Sequence, residues 1–323
     1  MIFSLLPALV LLGCAELLAT LTIDRRTSRV TDPATGRVSY TMQIGRLPWG
    51  RTSVTPLNAL GFPDEEFSSL DKGPCVHVVV AGDSFVFGDG VDRDSSFVSL
   101  VKRWARARPG RCVRILNVAE RGTTIDQQAR RIRETFDVLR PDVVILGQYQ
   151  NDLTDLTNPG AIADTAPARD VGARARDPIR DRLAAFNANL VRLLSYHAFA
   201  FMIRRGIEYD VLARWSVLAD SSRSEEATRL KVIYESQYEE LVKDLTARGV
   251  AFGVIILPSK FDILAKRFPE EQFFLSLANR YAAPYLRVFP VVDANRSPYP
   301  FLMYDGHLNE IGNRLVATAL YRW

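Results

Sequence analysis

Val76-His77-Val78-Val79-Val80-Ala81-Gly82-Asp83-Ser84-Phe85-Val86-Phe87-Gly88 is the stretch on which the fold turns. A run dominated by valine and closed by glycine and a short polar turn reads as a buried strand, Val76 to Ala81. Similar runs recur at Val113 to Val118, Asp142 to Leu146, Ala251 to Leu257 and Leu286 to Val292. Between them lie helical stretches: Ser96 to Arg108, stopped by Pro109-Gly110, and Ile125 to Leu139, stopped by Pro141. Three more follow: Glu225 to Arg248, stopped by Gly249; Glu270 to Tyr281; and Glu310 to Tyr321. Short apolar runs alternating with amphipathic stretches predict an α/β fold, a five-stranded parallel sheet with helices on both faces.

No internal repeat appears. The segment from Asp155 to Asp181, rich in Ala, Asp, Arg and Pro without periodicity, reads as a surface loop. It leads into Leu183 to Arg204 and Ile207 to Ala219, expected as helices inserted after the third strand. Residues 24–74 read as an irregular lead-in. Before them, Met1 to Ile23 is an apolar run interrupted by Pro7 and Glu16 and followed by Asp24-Arg25-Arg26. At about 1.5 Å per residue it can cross a hydrocarbon core of about 30 Å, so it reads as a membrane helix.

With 323 residues, 47% hydrophobic and 24% charged, the composition is that of a globular chain and excludes disordered and collagen-like architectures. Lys+Arg 41 against Asp+Glu 37 gives +4 with no basic stripe, so nucleic acid is not an expected partner. Three dispersed histidines (His77, His197, His307) and three cysteines (Cys14, Cys75, Cys112) exclude zinc ribbons and disulfide-rich scaffolds, and no metal site is expected.

In a parallel sheet the ligand site lies outside the carboxyl ends of the strands, near a topological switch point. Ser84 sits at such an end, where Gly82 permits a tight turn and the hydroxyl can face a crevice. A plain turn or helix N-cap serine is the competing reading. A serine nucleophile needs a base. His77 falls in a buried strand and His197 on a hydrophobic stretch, which marks both as structural. His307, in Tyr304-Asp305-Gly306-His307-Leu308-Asn309 before the last helix, has a carboxylate two residues upstream to orient its ring. Oxyanion donors are available at the next two strand ends: the Gly122 N–H in Asn117-Val118-Ala119-Glu120-Arg121-Gly122, and the Asn151 amide in Gly147-Gln148-Tyr149-Gln150-Asn151-Asp152.

These four blocks, in this order, resemble the SGNH (GDSL-like) hydrolase superfamily: Gly82-Asp83-Ser84 with Gly88; Asn117 to Gly122 with Thr123-Thr124; Asn151-Asp152; and Asp305 and His307 with Asn309 and Gly312. Asn58-Ala59-Leu60-Gly61-Phe62 resembles the segment before the nucleophile in bacterial members with an N-terminal membrane helix. In the third block the family's usual glycine is replaced by Tyr149, with Gly147 earlier. In the last, Asp precedes His by two residues where three is common. The resemblance implies a three-layer α/β/α sandwich on a flavodoxin-like sheet over 75–323, carrying a helical insertion at about 155–224. It implies ester cleavage with Ser84 as nucleophile, His307 as base and Asp305 as its orienter. The oxyanion hole would be formed by Ser84, Gly122 and Asn151, and no cofactor is required. Gln148, Tyr149 and Gln150 are substrate contacts by position only.

The expected substrate is a small-molecule or glycan ester, such as an O-acetyl or other short acyl group on a carbohydrate or lipid. Acyl transfer to a cell-surface polysaccharide, or a degenerate glycan-binding module, are the alternatives. If the strands are arranged as in the usual sandwich, Cys75 and Cys112 start neighbouring strands within the roughly 4.4 to 6.8 Å that a disulfide needs. A disulfide would put the domain outside the cytoplasm. Arg25 and Arg26 point the other way by the positive-inside rule. Leu11-Leu12-Gly13-Cys14 partly resembles a lipoprotein cleavage box, although an uncleaved anchor fits better. The expectation is a membrane-anchored protein with its catalytic domain outside the cytoplasm.

Overall fold

The computed structural model describes residues 2–23, 25–44, 51–67, 75–110, 112–157, 194, 197, 216–219, 221–295, 299–302 and 305–323. Five parallel strands make the central sheet: β4 (Val76–Ala81), β5 (Val113–Asn117), β6 (Val143–Tyr149), β7 (Ala251–Leu257) and β8 (Tyr285–Arg287), in the order β5-β4-β6-β7-β8. The chain steps from β4 to β5 on one side, then crosses back to lay β6 on the other. The switch point therefore lies at the carboxyl end of β4.

Strand residues point alternately to two faces, and two cores result. Val79, Val144 and Val254 pack beneath α4 (Ile125–Glu134), α7 (Ser224–Ala247) and α9 (Pro269–Arg280). Their neighbours Val80, Ile145 and Ile255 pack beneath α3 (Phe97–Arg106), α10 (Phe289–Ala294) and α11 (Glu310–Arg322). In α7 the buried residues Ala227, Leu230, Tyr234, Tyr238, Leu241 and Leu245 recur every three or four positions, the stripe a helix needs to seat on a sheet.

Three expectations are corrected, and a fourth finds no support among the described residues. The lead-in is not irregular: β1 (Arg25–Thr31), β2 (Val38–Ile44) and β3 (Arg51–Pro56) form a three-stranded antiparallel sheet. These strands are rich in Thr, Arg, Ser and Val but bury little, so no apolar alternation marks them. Their first hairpin closes on Asp32 and Gly36, whose N–H bonds the Asp32 carbonyl at 2.8 Å with φ 67°. Second, the run Leu286 to Val292 holds only a short strand. Pro290 cannot extend a ladder but fits a first helical turn, and α10 begins there. Third, Ile125 to Leu139 breaks at Thr135 into α4 and α5 (Phe136–Leu139), with the Thr135 hydroxyl donating to the Ile132 carbonyl at 2.6 Å.

Fourth, the expected membrane span is not found: among the described residues no helix is long and apolar enough to cross a membrane. The helix α1 itself covers Ile2–Ile23, but its side chains are described continuously only over 10–21. There Glu16, buried, accepts a hydrogen bond from Thr20. The expected insertion helices Leu183 to Arg204 and Ile207 to Ala219 lie outside the described residues, apart from Leu194, His197 and 216–219. Cys75 and Cys112 are joined in a disulfide with Cα atoms 4.5 Å apart.

Candidate active site

At the end of β4 the chain turns through Gly82 into α2 (Ser84–Phe87). Asp83 is the N-cap, its carboxylate accepting from the Phe85 N–H at 2.9 Å. Ser84, the first helical residue, is thereby free of capping duty. Its N–H belongs to the first turn, which has no intrahelical acceptor. Val86 keys this short helix into the sheet. A Cβ on Gly82 would lie 2.4 Å from Val86 Cγ2, and one on Gly147 of β6 2.3 Å from the same atom. That packing accounts for the glycine at 147 in place of 149. Position 149 instead holds Tyr149, stacked on Phe85 with ring centroids 3.8 Å apart.

The Ser84 hydroxyl lies 2.8 Å from His307 Nε2. Asp305 fixes the ring from the other side: its Oδ1 accepts from the His307 backbone N–H at 2.8 Å and from Nδ1. With Nδ1–H facing a carboxylate, Nε2 is the lone-pair nitrogen and accepts from Ser84. Phe85 lies against the imidazole, centroids 4.8 Å apart. The loop that carries His307 is itself braced. The Leu302 N–H bonds the His307 carbonyl at 2.9 Å, and buried Lys260 donates to the Leu302 carbonyl at 2.5 Å. Asn309 caps α11 through the Ile311 and Gly312 N–H groups. Gly312 is required for close approach, since a Cβ there would meet the Pro300 carbonyl at 2.2 Å.

Gly122 and Asn151 follow the ends of β5 and β6, the two strands that flank β4. Gly122 has φ 63° in a loop tied down by the Glu120 N–H to the Gly82 carbonyl at 3.1 Å and by the Thr123 hydroxyl to the Glu120 carbonyl at 2.8 Å. Asn117 links this loop to α2: its Nδ2 donates to the Val86 carbonyl at 3.0 Å while its Oδ1 accepts from the Ala119 N–H at 3.1 Å. Asn151 opens α6 (Asn151–Thr154), and its Nδ2 donates to Asp155 Oδ2 at 2.8 Å.

Three carboxyls crowd this amide. Burial pushes Asp83 up to about 6, against the pull of the Phe85 N–H, His307 and Asn151. Asp155 is pushed up to about 7 by burial and by the charge of Asp83, and burial holds Asp152 well above the carboxylate range. Close to neutral pH, then, protonation changes occur beside the Asn151 donor.

The residues expected as substrate contacts do not share one surface. Gln148 is buried and donates to the Tyr234 hydroxyl at 3.1 Å on the opposite face of the sheet, and Tyr149 is buried against Phe85. Only Gln150 is part-exposed. Of the histidines judged structural, His77 is buried with Nδ1 on the Leu139 carbonyl at 2.6 Å, and His197 is exposed. Sequence reasoning missed Asp89 and Arg121, an ion pair of 2.7 Å at the edge of the site. Gly88-Asp89-Gly90 reads only as a turn, and Arg121 as one arginine among many.

A model of the GDSL-like lipase/acylhydrolase family matches residues 78–320. No curated protein matches the chain. Solved structures similar to it include the psychrotrophic esterase EstA from Pseudoalteromonas sp., at 14% identity over 76% of this chain and 94% of that one, with a TM-score of 0.42. The lipase/acylhydrolase from Enterococcus faecalis matches at 13% identity, 76% and 94% coverage and TM-score 0.42. The acetylxylan esterase Axe2 from Geobacillus stearothermophilus matches at 14%, 76% and 93%, with 0.45.

Proposed function

From the premise that the chain belongs to the GDSL-like lipase/acylhydrolase family and is a serine ester hydrolase, we propose that Ser84, His307 and Asp305 carry its chemistry. The observation that supports this most directly is the 2.8 Å contact between the Ser84 hydroxyl and His307 Nε2, groups 223 positions apart in the chain. Ser84 Oγ attacks the ester carbonyl as Nε2 takes its proton. Asp305 holds the ring and stabilises the imidazolium. The negative charge on the carbonyl oxygen is met by the Ser84 N–H, the Gly122 N–H and the Asn151 amide, donors each worth about 10² to 10³ in rate in other enzymes. The imidazolium then protonates the leaving alcohol, and water attacks the acyl-enzyme by the same route.

The substrate we infer is a short acyl ester, an O-acetyl or similar group on a carbohydrate or lipid. Acyl transfer finds no support in a family match to acylhydrolases, and the intact Ser–His contact speaks against a degenerate binding module. We further infer that α1 anchors the protein to a membrane; the exposed Val10, Leu11, Leu12, Leu17 and Leu18 favour this. The Cys75–Cys112 disulfide favours a catalytic domain outside the cytoplasm. Two free thiols at these positions in protein from its native host would reverse that orientation.

The test of the chemistry is S84A. It is expected to fold and to lose several orders of magnitude of activity on short aryl acetates. Wild-type turnover by S84A would overturn the assignment, and profiling graded acyl chains against acetylated sugars reads the substrate class.

A further inference from the structure

Asp89 lies where four parts of the site meet. It follows the Gly88 cap of the nucleophile helix, and its N–H bonds the Ser84 carbonyl at 3.0 Å. Its neighbour Gly90 abuts the loop of His307, where a Cβ would lie 2.3 Å from Leu302 Cδ1. Arg51 of β3 donates to the Gly90 carbonyl at 2.7 Å. The buried Asp89 carboxylate accepts from Arg121 Nε at 2.7 Å, and Arg121 immediately precedes Gly122. The same oxygen, Oδ2, stands 3.9 Å from His307 Nε2, the nitrogen that receives the proton. The Arg121 guanidinium is held in turn over the ring of Tyr40 in β2 at 5.3 Å, and Tyr40 meets Phe87 edge-on at 5.6 Å.

We propose that Asp89 and Arg121 are positioning residues: their ion pair fastens the nucleophile helix to the Gly122 loop, and the Asp89 charge, partly offset by Arg121, strengthens His307 as a proton acceptor. This rests on the serine-esterase reading of the site. The pair is doubly placed for the task, being joined by backbone to both Ser84 and Gly122 and standing on the Nε2 side of an imidazole whose Nδ1 side Asp305 occupies. Other groups act on His307 as well: Asp305 on its own loop and Asp83 at the end of β4, while the neutral phenol of Tyr149 from β6 lies beside Gly306 of that loop. Lys260 reaches the same loop at the Leu302 carbonyl. Of these, Asp83 also feels the charge of Asp89, so D89N lowers Asp83 together with His307, whereas R121K leaves every charge in place and isolates the geometric part.

The test is the pH dependence of kcat/KM on a short aryl acetate for full-length wild type, D89N, R121Q, R121K and D89N/R121Q. D89N removes a negative charge near Nε2 and is expected to move the acid limb to lower pH. R121Q leaves that charge less offset and moves the limb to higher pH. The D89N displacement is about 0.7 of a pH unit or more, the effect of a unit charge about 4 Å away even at the dielectric of water, and that of R121Q is smaller, since Arg121 contacts Asp89 and not the imidazole. The double variant returns the limb toward wild type. R121K keeps the charge but loses the fixed fork geometry, so its limb stays in place while kcat falls by about tenfold with KM little changed. Limbs that coincide in D89N and R121Q, or move in the same direction, overturn the proposal. Should D89N fail to fold, R121Q and R121K still decide it. S84A run alongside separates the two levels: retained activity there overturns the esterase reading, whereas lost activity with unmoved limbs overturns only the role of the pair.

Discussion

Replacing Asp305 by Asn and by Ala separates two contributions that a single substitution would merge. In the structure one oxygen, Oδ1, accepts both from the His307 backbone N–H at 2.8 Å and from Nδ1. An asparagine amide can put its own oxygen at that point and keep both bonds. The flipped orientation would set an NH₂ against two N–H donors, so the backbone group selects the productive one. D305N therefore preserves the tautomer and removes only the charge. A hydrogen bond to a charged group contributes about 1.5 to 3 kcal/mol, against about 0.5 to 1.5 for a neutral one. The difference, together with burial of the pair, predicts a loss in kcat/KM of about 10- to 100-fold, with the acid limb moved to lower pH. D305A frees Nδ1 and lets the ring turn or change tautomer, and about 10³- to 10⁴-fold is expected. Initial rates on a short aryl acetate from pH 5 to 9, with thermal unfolding as a control, measure both. A D305A rate within threefold of wild type would refute Asp305 as the orienting group. A D305N loss as deep as that of D305A would refute the one-oxygen argument.

Other outcomes follow from packing and burial. G147A puts a methyl 2.3 Å from Val86 Cγ2, and urea unfolding should show a loss of about 1 to 3 kcal/mol, as overpacked cores do, with activity reduced because Val86 shares its short helix with Ser84. Burial raises Glu270 from 4.5 to about 7. Between those values the native state holds the proton more tightly than the unfolded chain, so stability falls as pH rises from about 4.5 to 7. E270Q should escape this and exceed wild type at pH 8, by on the order of 3 kcal/mol, with the gap closing below pH 4; equal urea midpoints at pH 8 would contradict it. Reducing the Cys75–Cys112 bond, which closes a separation of 37 residues, should lower unfolding free energy by up to about 4 kcal/mol on the chain-entropy model, measured with and without reductant.

The parallel sheet was legible because both faces of its strands are covered, which turns β4 and β7 into continuous apolar runs with the bounds expected of them. The small sheet was not, because its strands bury little and leave only β-branched composition as a signal. Ser84 could be singled out by its strand end, and His307 with Asp305 because three histidines leave few candidate bases and only this one has a carboxylate two residues upstream in a polar loop. Gln148 shows where that logic fails: along a strand, adjacent residues face opposite sides, and nearness in sequence to Asn151 says nothing about which side. Asp89 and Arg121 were invisible because a pair formed by a glycine-rich turn and a loop 32 residues away leaves no local pattern.

The two cores divide the molecule unequally. Phe85, Tyr149, Phe301 and Leu308, which pack around Ser84 and His307, belong to one, while Val217, α7 and α9 belong to the other. A substitution on the second side that stays clear of α6, whose Leu153 joins that core beside Asn151, meets Ser84 and His307 only through the thickness of the sheet, too far for energies to couple strongly. Engineering of substrate access from that flank should consequently add to, and not multiply with, changes made around Ser84, giving the enzyme one surface that can be redesigned while its chemistry stays put.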